Sequence, residues 1–289
     1  MPALKRILAL WAFLAMPAWA QPQATVAAVQ MPAWLDRNGH AQALAVGTEV
    51  RNGDSIRTGD GARAYLKLAE GSTVKLGENA KLVFFSHSLR PQSAFKGALD
   101  ILAGAFRFTT DALQRVKSRE VSIRVGTATA GIRGTDLWGH STRQEDLVCL
   151  IDGAIEIKHA ALAEPVAMNV PMTFFAVPRN AAPQAVAAVD PVQFALWARE
   201  TEIVAGDGAA YFGGKWKLVL GHYAGQAAAL AQYDAARKEG FAASIRPVAA
   251  AGSGWNYEVE IRGFRAEGEA VKAAARLMAA TGIEASPAR

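Results

Sequence analysis

Between Glu49 and Phe85 the chain reads EVRNGDSIRTGDGARAYLKLAEGSTVKLGENAKLVFF, and no other segment constrains the fold as much. Ala62, Ala64, Leu66 and Leu68 share one parity, while Arg63, Tyr65 and Lys67 share the other. Successive side chains of a strand point to opposite faces, so this alternation specifies strands with one face on a core. Asn52-Gly53, Asp60-Gly61 and Glu70-Gly71 interrupt the runs, and such pairs supply the positive φ of a tight turn at little steric cost. The pattern continues through ALDILAGAFRFTT, VSIRVGTATAGIRGTDLWG and DLVCLIDGAIEIKH without a helical period. It predicts an all-β sandwich or β-roll over residues 21–176.

Within it, TATAGIRGTDLWG (residues 127–139) concentrates three glycines, an arginine and three threonines. A phosphate-binding P-loop needs a Lys-Ser or Lys-Thr pair after its last glycine, opening a helix. Here Gly134 leads into Thr135, Asp136, Leu137 and Trp138, a return to strand. The glycines therefore read as a corner between sheets, with Arg133 ordered against carbonyls or an acid.

Residues 177–212 turn Pro- and Ala-rich and read as a linker with a short helix, in which Asp190 is the N-cap and Pro191 the first helical residue. From 213 to 289 the order is strand, helix, strand, strand, helix and a short extended tail. Ala227, Leu230 and Tyr233 recur at helical spacing, as do Ala270, Ala274 and Leu277, so both helices can pack on one face of an antiparallel sheet. Trp216, Leu218 and Leu220, with Tyr257, Val259 and Ile261, should face the helices. Lys217, Val219, Glu258, Glu260 and Arg262 should then line the open face. The fold class is thus mixed: an N-terminal all-β domain and a C-terminal α+β domain with two helices on one face of its sheet.

At the start, Lys5 and Arg6 precede ILALWAFLAMPAWA, which ends in Ala18-Trp19-Ala20. This reads as a secretory signal cleaved after Ala20, too short to span a bilayer, and predicts a periplasmic protein with no transmembrane segment after cleavage. Removing Lys5 and Arg6 lowers the formal charge from +5 to about +3. No basic stripe with interleaved aromatics is present, which excludes strong nucleic-acid binding. Cys149, the single cysteine, lies in an apolar strand and reads as a buried structural thiol.

Chemistry-bearing constellations are sparse. His40, His87, His140, His159 and His222 stand far apart, Cys149 has no CxxC partner, and no HExxH or GxSxG occurs. The acids Asp54, Asp60, Glu70 and Asp152 sit beside turn glycines, where carboxylates commonly bond their own backbone. No catalytic residue, metal ligand or cofactor is expected.

Two resemblances follow from these motifs. GTEVRNGDSIRTGDGARAYLKLAEGSTVKL, GAFRFTT, TATAGIRGTDLWG and DLVCLIDGAIEI, in this order, resemble the FecR family over roughly residues 45–158. That family's best-known members are transmembrane regulators that signal through a sigma factor. WKLVLGHY plus helix and YEVEIRGF plus helix, with Ala270, resemble the sporulation-related repeat (SPOR) domain over Lys215 to about Ser286. This resemblance implies an open sheet face that binds peptidoglycan glycan strands, especially those stripped of stem peptides. Lys217, Val219, His222, Arg246, Trp255 and Arg262 would then be the glycan contacts. Val219 stands where the family often has glutamine, which removes an amide suited to sugar hydroxyls. Together the resemblances imply a non-catalytic envelope protein that attaches to wall glycan, at division sites, and presents its β-domain to an envelope protein. The alternative is a periplasmic signalling or scaffold module that binds a protein partner, its glycan affinity lost.

Overall fold

The computed structural model describes residues 22–86, 94–110, 118–132, 134–250 and 254–289. The expected signal and its cleavage point after Ala20 lie outside the described residues, as does Arg133. In chain order, the first half of the β region comprises β1 (Ala24–Gln30), β2 (Ala33–Arg37), β3 (His40–Ala43), β4 (Glu49–Val50), β5 (Ser55–Thr58), β6 (Arg63–Leu68), β7 (Thr73–Leu76) and β8 (Lys81–Ser86). The second half comprises β9 (Ala94–Thr109), β10 (Ser118–Val125), β11 (Ala128–Ile132), β12 (Asp136–Ser141), β13 (Glu145–Asp152), β14 (Ile155–Lys158), β15 (Val166–Met168), β16 (Thr173–Pro178) and β17 (Ala187–Ala188). After them come α1 (Pro191–Arg199), β18 (Ala209–Tyr211), β19 (Trp216–Tyr223), α2 (Gln226–Lys238), β20 (Ser244–Ala249), β21 (Trp255–Phe264), α3 (Glu267–Thr281) and β22 (Ser286–Ala288). Among the described residues no helix is long and apolar enough to cross a membrane.

The β region is a two-layer sandwich, and β9 belongs to both layers. Its first half pairs with β8 and, in parallel, with β10; its second half pairs with β7 and β12. Gly104 sits between the halves at φ +77°, where an added Cβ would lie 2.5 Å from Ala80 Cα. Only glycine fits a left-handed position so close to another backbone. One sheet runs β3, β2, β5, β8, β9, β10, β11, β14, β15. The other runs β17, β16, β13, β12, β9, β7, β6, β1. Ala64, Leu66 and Leu68 point into the shared core, which also holds Phe84, Phe106, Phe108 and Leu137.

The corner expected at residues 127–139 is present: β11 lies in one sheet and β12 in the other, with Gly134 between them at φ +64°. On the outer face of the second sheet, Trp138, Leu147, Cys149 and Ala176 form a separate apolar cluster beneath α1. With both faces covered, β13 is buried almost throughout, and LVCLI accordingly reads as an unbroken apolar run rather than an alternating one. Helix α1 begins where the sequence placed it, with Asp190 Oδ1 accepting from the amides of Val192 and Gln193 at 2.9 and 3.1 Å.

The helix lies on the sheet rather than in an open tether. After it, Glu202 accepts hydrogen bonds from Lys75 Nζ at 2.6 and 2.7 Å, from Tyr65 Oη at 3.0 Å and from Arg107 Nη1 at 3.3 Å. Next, Glu269 of α3 accepts from the amides of Gly206, Gly208 and Ala209 at 2.6–3.0 Å. Strand β18 then pairs with β1 and, at Ala210↔Phe264, with β21. The second sheet thereby continues into the C-terminal sheet of β20, β21, β19 and β22. Helices α2 and α3 cover one face of that sheet, over Leu218, Leu220, Val259 and Ile261. The seam is tied further by Trp34 Nε1 donating to Lys238 O at 3.1 Å and by Arg276 Nη1 donating to Gly61 O at 2.8 Å.

Candidate functional site

The face of β19–β21 opposite the helices carries the densest charge cluster in the described residues. Cross-strand register sets Lys217 opposite Arg262, Val219 opposite Glu260 and His222 opposite Glu258, with Arg246 of β20 on the other flank of Glu258. Two bulges create this register, one at Leu220–Gly221 on β19 and one at Gly263 on β21. Each inserts one residue and so reverses the inward and outward parity beyond it. By strict alternation from Leu218, His222 would point to the helices; the first bulge turns it out, with Nε2 3.7 Å from Glu258.

The acids of this face are not open to solvent, contrary to simple alternation. Glu258 and Glu260 are 5% and 2% exposed because long cationic side chains lie across them. Lys217 Nζ bridges the two at 2.7 and 3.2 Å. Arg246 Nη2 donates to Glu258 at 2.9 Å, and Arg262 forms a two-bond fork with Glu260 through Nε and Nη2. Burial alone would raise the Glu258 carboxyl, but the hydrogen bonds from Lys217 and Arg246 win and hold it at about 2. Glu258 therefore carries no proton to donate at neutral pH. It acts as a counter-charge that orients the cations.

Of the residues expected to contact a ligand, Lys217, His222, Arg246 and Arg262 converge on Glu258 and Glu260. Val219 lies among them, half-buried and without polar atoms in its side chain. Trp255 stands apart at the start of β21, 62% exposed, so it is a rim residue rather than a core plug. Sequence reasoning assigned no part to Lys215 or Arg289, although both line one cleft with Lys217, Arg246 and Arg262. Nor did it find the Glu202 anchor, whose partners are ordinary outward residues of three strands. A second exposed feature is Phe212, 82% exposed beside a cleft of about 340 Å³ where β1, β18 and β21 meet.

Among the described residues, no group of three or more His, Cys, Asp or Glu could hold a metal ion. Cys149 is fully buried, and burial pushes its thiol up to about 12. Of the turn acids, Glu70 accepts from the amide of Ser72 at 2.6 Å and Asp54 from that of Arg51 at 2.7 Å, while Asp54 also pairs with Arg37 and Asp60 accepts from the side chain of Asn79. In the sandwich, Asp136 just past the corner pairs with Arg107, its two oxygens receiving Nε and Nη2 at 2.9 and 2.7 Å. Arg107 in turn reaches Glu202, so the corner and the anchored segment share one cation.

Residues 54–156, from the turn before β5 into β14, match the family model described as FecR protein. The chain carries a FecR domain. β1 to β4 and β15 to β17 lie outside the match and complete the two sheets around the FecR domain. The match ends before β15, so the SPOR resemblance of the C-terminal segment rests on its residue pattern and element order alone. Two crystal structures of a provisionally assigned anti-sigma factor from Parabacteroides distasonis ATCC 8503 are similar at 14% identity and a TM-score of 0.41. The similarity covers 50% of this chain and 64% and 63% of those chains, so it spans less than two thirds of their length. No curated protein matches the sequence.

Proposed function

We propose that the protein is a non-catalytic, exported envelope module that works by holding a protein partner in a signalling or scaffold role. The observation that carries this reading is the FecR domain at residues 54–156, built into one sheet with the C-terminal unit through β18. FecR-type proteins act through protein partners, and a sheet continuous across both units presents their surfaces in a fixed relation. Phe212, an apolar ring left almost fully exposed at the seam, is the kind of side chain that partners cover. The export signal, and with it the periplasmic location, belongs to the same proposal.

A second reading has its own support. Trp255 is exposed at the start of β21, and an exposed indole suits a sugar ring. Against it, Val219 offers no hydrogen-bonding group, and the carboxylates of that face are already committed to cations.

One experiment separates the two. A photo-crosslinking residue is placed at Phe212 or at Trp255 in the exported full chain, and purified sacculi are mixed with the protein before and after an amidase strips the stem peptides. Partner binding yields a discrete protein adduct from position 212 and no pelleting with either wall preparation. Pelleting that rises on stripped sacculi and is lost in Trp255→Ala would replace it with the glycan reading.

A further inference from the structure

Beside the buried acids lies a cleft of about 190 Å³ whose lining includes Lys215, Trp216, Lys217, Arg246, Arg262 and Arg289. Five of these six are cationic and come from four separate stretches of chain. The two carboxylates beneath, Glu258 and Glu260, and the α-carboxylate of Arg289 offset only part of that charge, so the wall stays net positive. Among the described residues, Lys215 and Arg289 form no ion pair, and Arg289 lies over the Trp216 ring at 6.0 Å.

The geometry of the two inner arginines is what makes the surplus usable. Arg246 spends Nε and Nη2 on Glu258, and Arg262 spends Nε and Nη2 on Glu260. A guanidinium has five N–H donors in a fixed fork, so each keeps its Nη1 pair and one Nη2 hydrogen unspent. Those donors are held in place by the buried acids, which removes much of the ordering cost of binding. The side chains remain 47% and 57% exposed, so a ligand can reach them. Forked N–H pairs match the oxygens of a phosphate or carboxylate. The charge surplus favours the more highly charged of these, since a dianion neutralises more of it than a monoanion does.

We propose that this cleft binds a doubly charged oxyanion of the phosphate class, either free inorganic phosphate or a phosphate monoester displayed on a larger envelope molecule. The site adjoins the cleft beside Phe212, sharing Gly214 and Arg262 with it, and its anion does not depend on whether the main partner is a protein or a glycan.

The test uses the exported full chain in two arms at constant ionic strength. The first titrates inorganic phosphate by calorimetry, with acetate as the monoanion control. The second measures co-sedimentation with phosphatidylcholine vesicles containing or lacking phosphatidic acid. Both are repeated with Lys215→Gln/Arg289→Gln, which alters two exposed side chains outside the ion pairs and leaves the fold signal by circular dichroism unchanged. Phosphate binding that exceeds acetate binding and weakens roughly tenfold in the double variant supports a free-phosphate site. Binding only to phosphatidic acid vesicles, displaced by phosphate and lost in the double variant, supports a displayed monoester. Equal response to phosphate and acetate with no vesicle binding, or binding unchanged in the double variant, overturns the proposal.

Discussion

The indole of Trp197 in α1 stacks on that of Trp138 in β12, ring centroids 5.0 Å apart and planes 6° from parallel. Phe174 meets the same Trp197 ring edge-on at 5.8 Å, so a helix outside the FecR match is fastened to a strand inside it. An aromatic pair contributes beyond its buried area, and truncating a large ring leaves a void. Trp197→Ala should therefore cost about 2–3 kcal/mol in urea unfolding monitored by tryptophan fluorescence. Val192→Ala, on the exposed side of the same helix, should change stability by less than about 0.5 kcal/mol.

Cys149 reports on the same cover. Its thiol is buried and pushed up to about 12, so little thiolate exists at ordinary pH. A maleimide at pH 8 should label the unfolded chain fully and the native chain slowly. In Trp197→Ala the native rate should rise, because α1 no longer shields the cluster around Cys149. Rapid labelling of the unaltered native protein would contradict the burial.

Glu202 holds the segment between α1 and β18 against the outer face of the sandwich. Burial opposes its charge, yet the hydrogen bonds from Lys75 and Tyr65 and the charge of Arg107 lower its pKa below the ordinary carboxylate range. A depressed folded pKa gives stability that is full above the unfolded value, about 4.3, and is lost as pH falls through the folded one. Glu202→Gln should cost about 1–2 kcal/mol at pH 7 and flatten this part of the acid limb. It should also speed limited proteolysis between residues 200 and 208, which cleavage mapping would locate.

The alternation of β6 and the turn glycines made the sandwich legible, and Asp190-Pro191 made α1 legible, because these signals are local. The continuity of the molecule was not. Strand β18 is three residues long, lies inside the glycine-rich AGDGAAYFGG, and has no alternation to read, yet it joins the two sheets. The candidate site was half legible for a related reason. Parity placed Lys217, Glu258, Glu260 and Arg262 on one face, but it could not reveal that the bulge at Leu220–Gly221 brings His222 out, nor that the cations close over the acids. A tether that lies flat on a sheet also leaves no mark in composition. Its proline and alanine content is that of a free linker, and only partners distant in sequence, those of Trp197, Glu202 and the amides held by Glu269, distinguish the two.

Lys217 bridges both buried acids more closely than Arg246 does, and its removal tests the electrostatics of the site directly. With Lys217→Met the aliphatic stem is kept, while Glu258 and Glu260 lose the ammonium at 2.7 and 3.2 Å. Breaking a buried pair by deleting one partner leaves a charge uncompensated, which costs about 3–5 kcal/mol in full burial. Arg246 and Arg262 remain, so the expected loss at pH 7 is nearer 2–3 kcal/mol. The pH dependence carries the sharper signature. In the unaltered protein Glu258 is held at about 2, so its contribution is complete above about 4.3 and fades only as pH falls from there toward 2. In the variant burial is opposed by fewer donors, the Glu258 carboxyl rises, and the stability loss should shrink as pH drops to 4, where protonation relieves the uncompensated charge. Urea unfolding at pH 7, 5.5 and 4 would show the two proteins converging. A gap that stays constant across that range would mean Lys217 contributes packing alone.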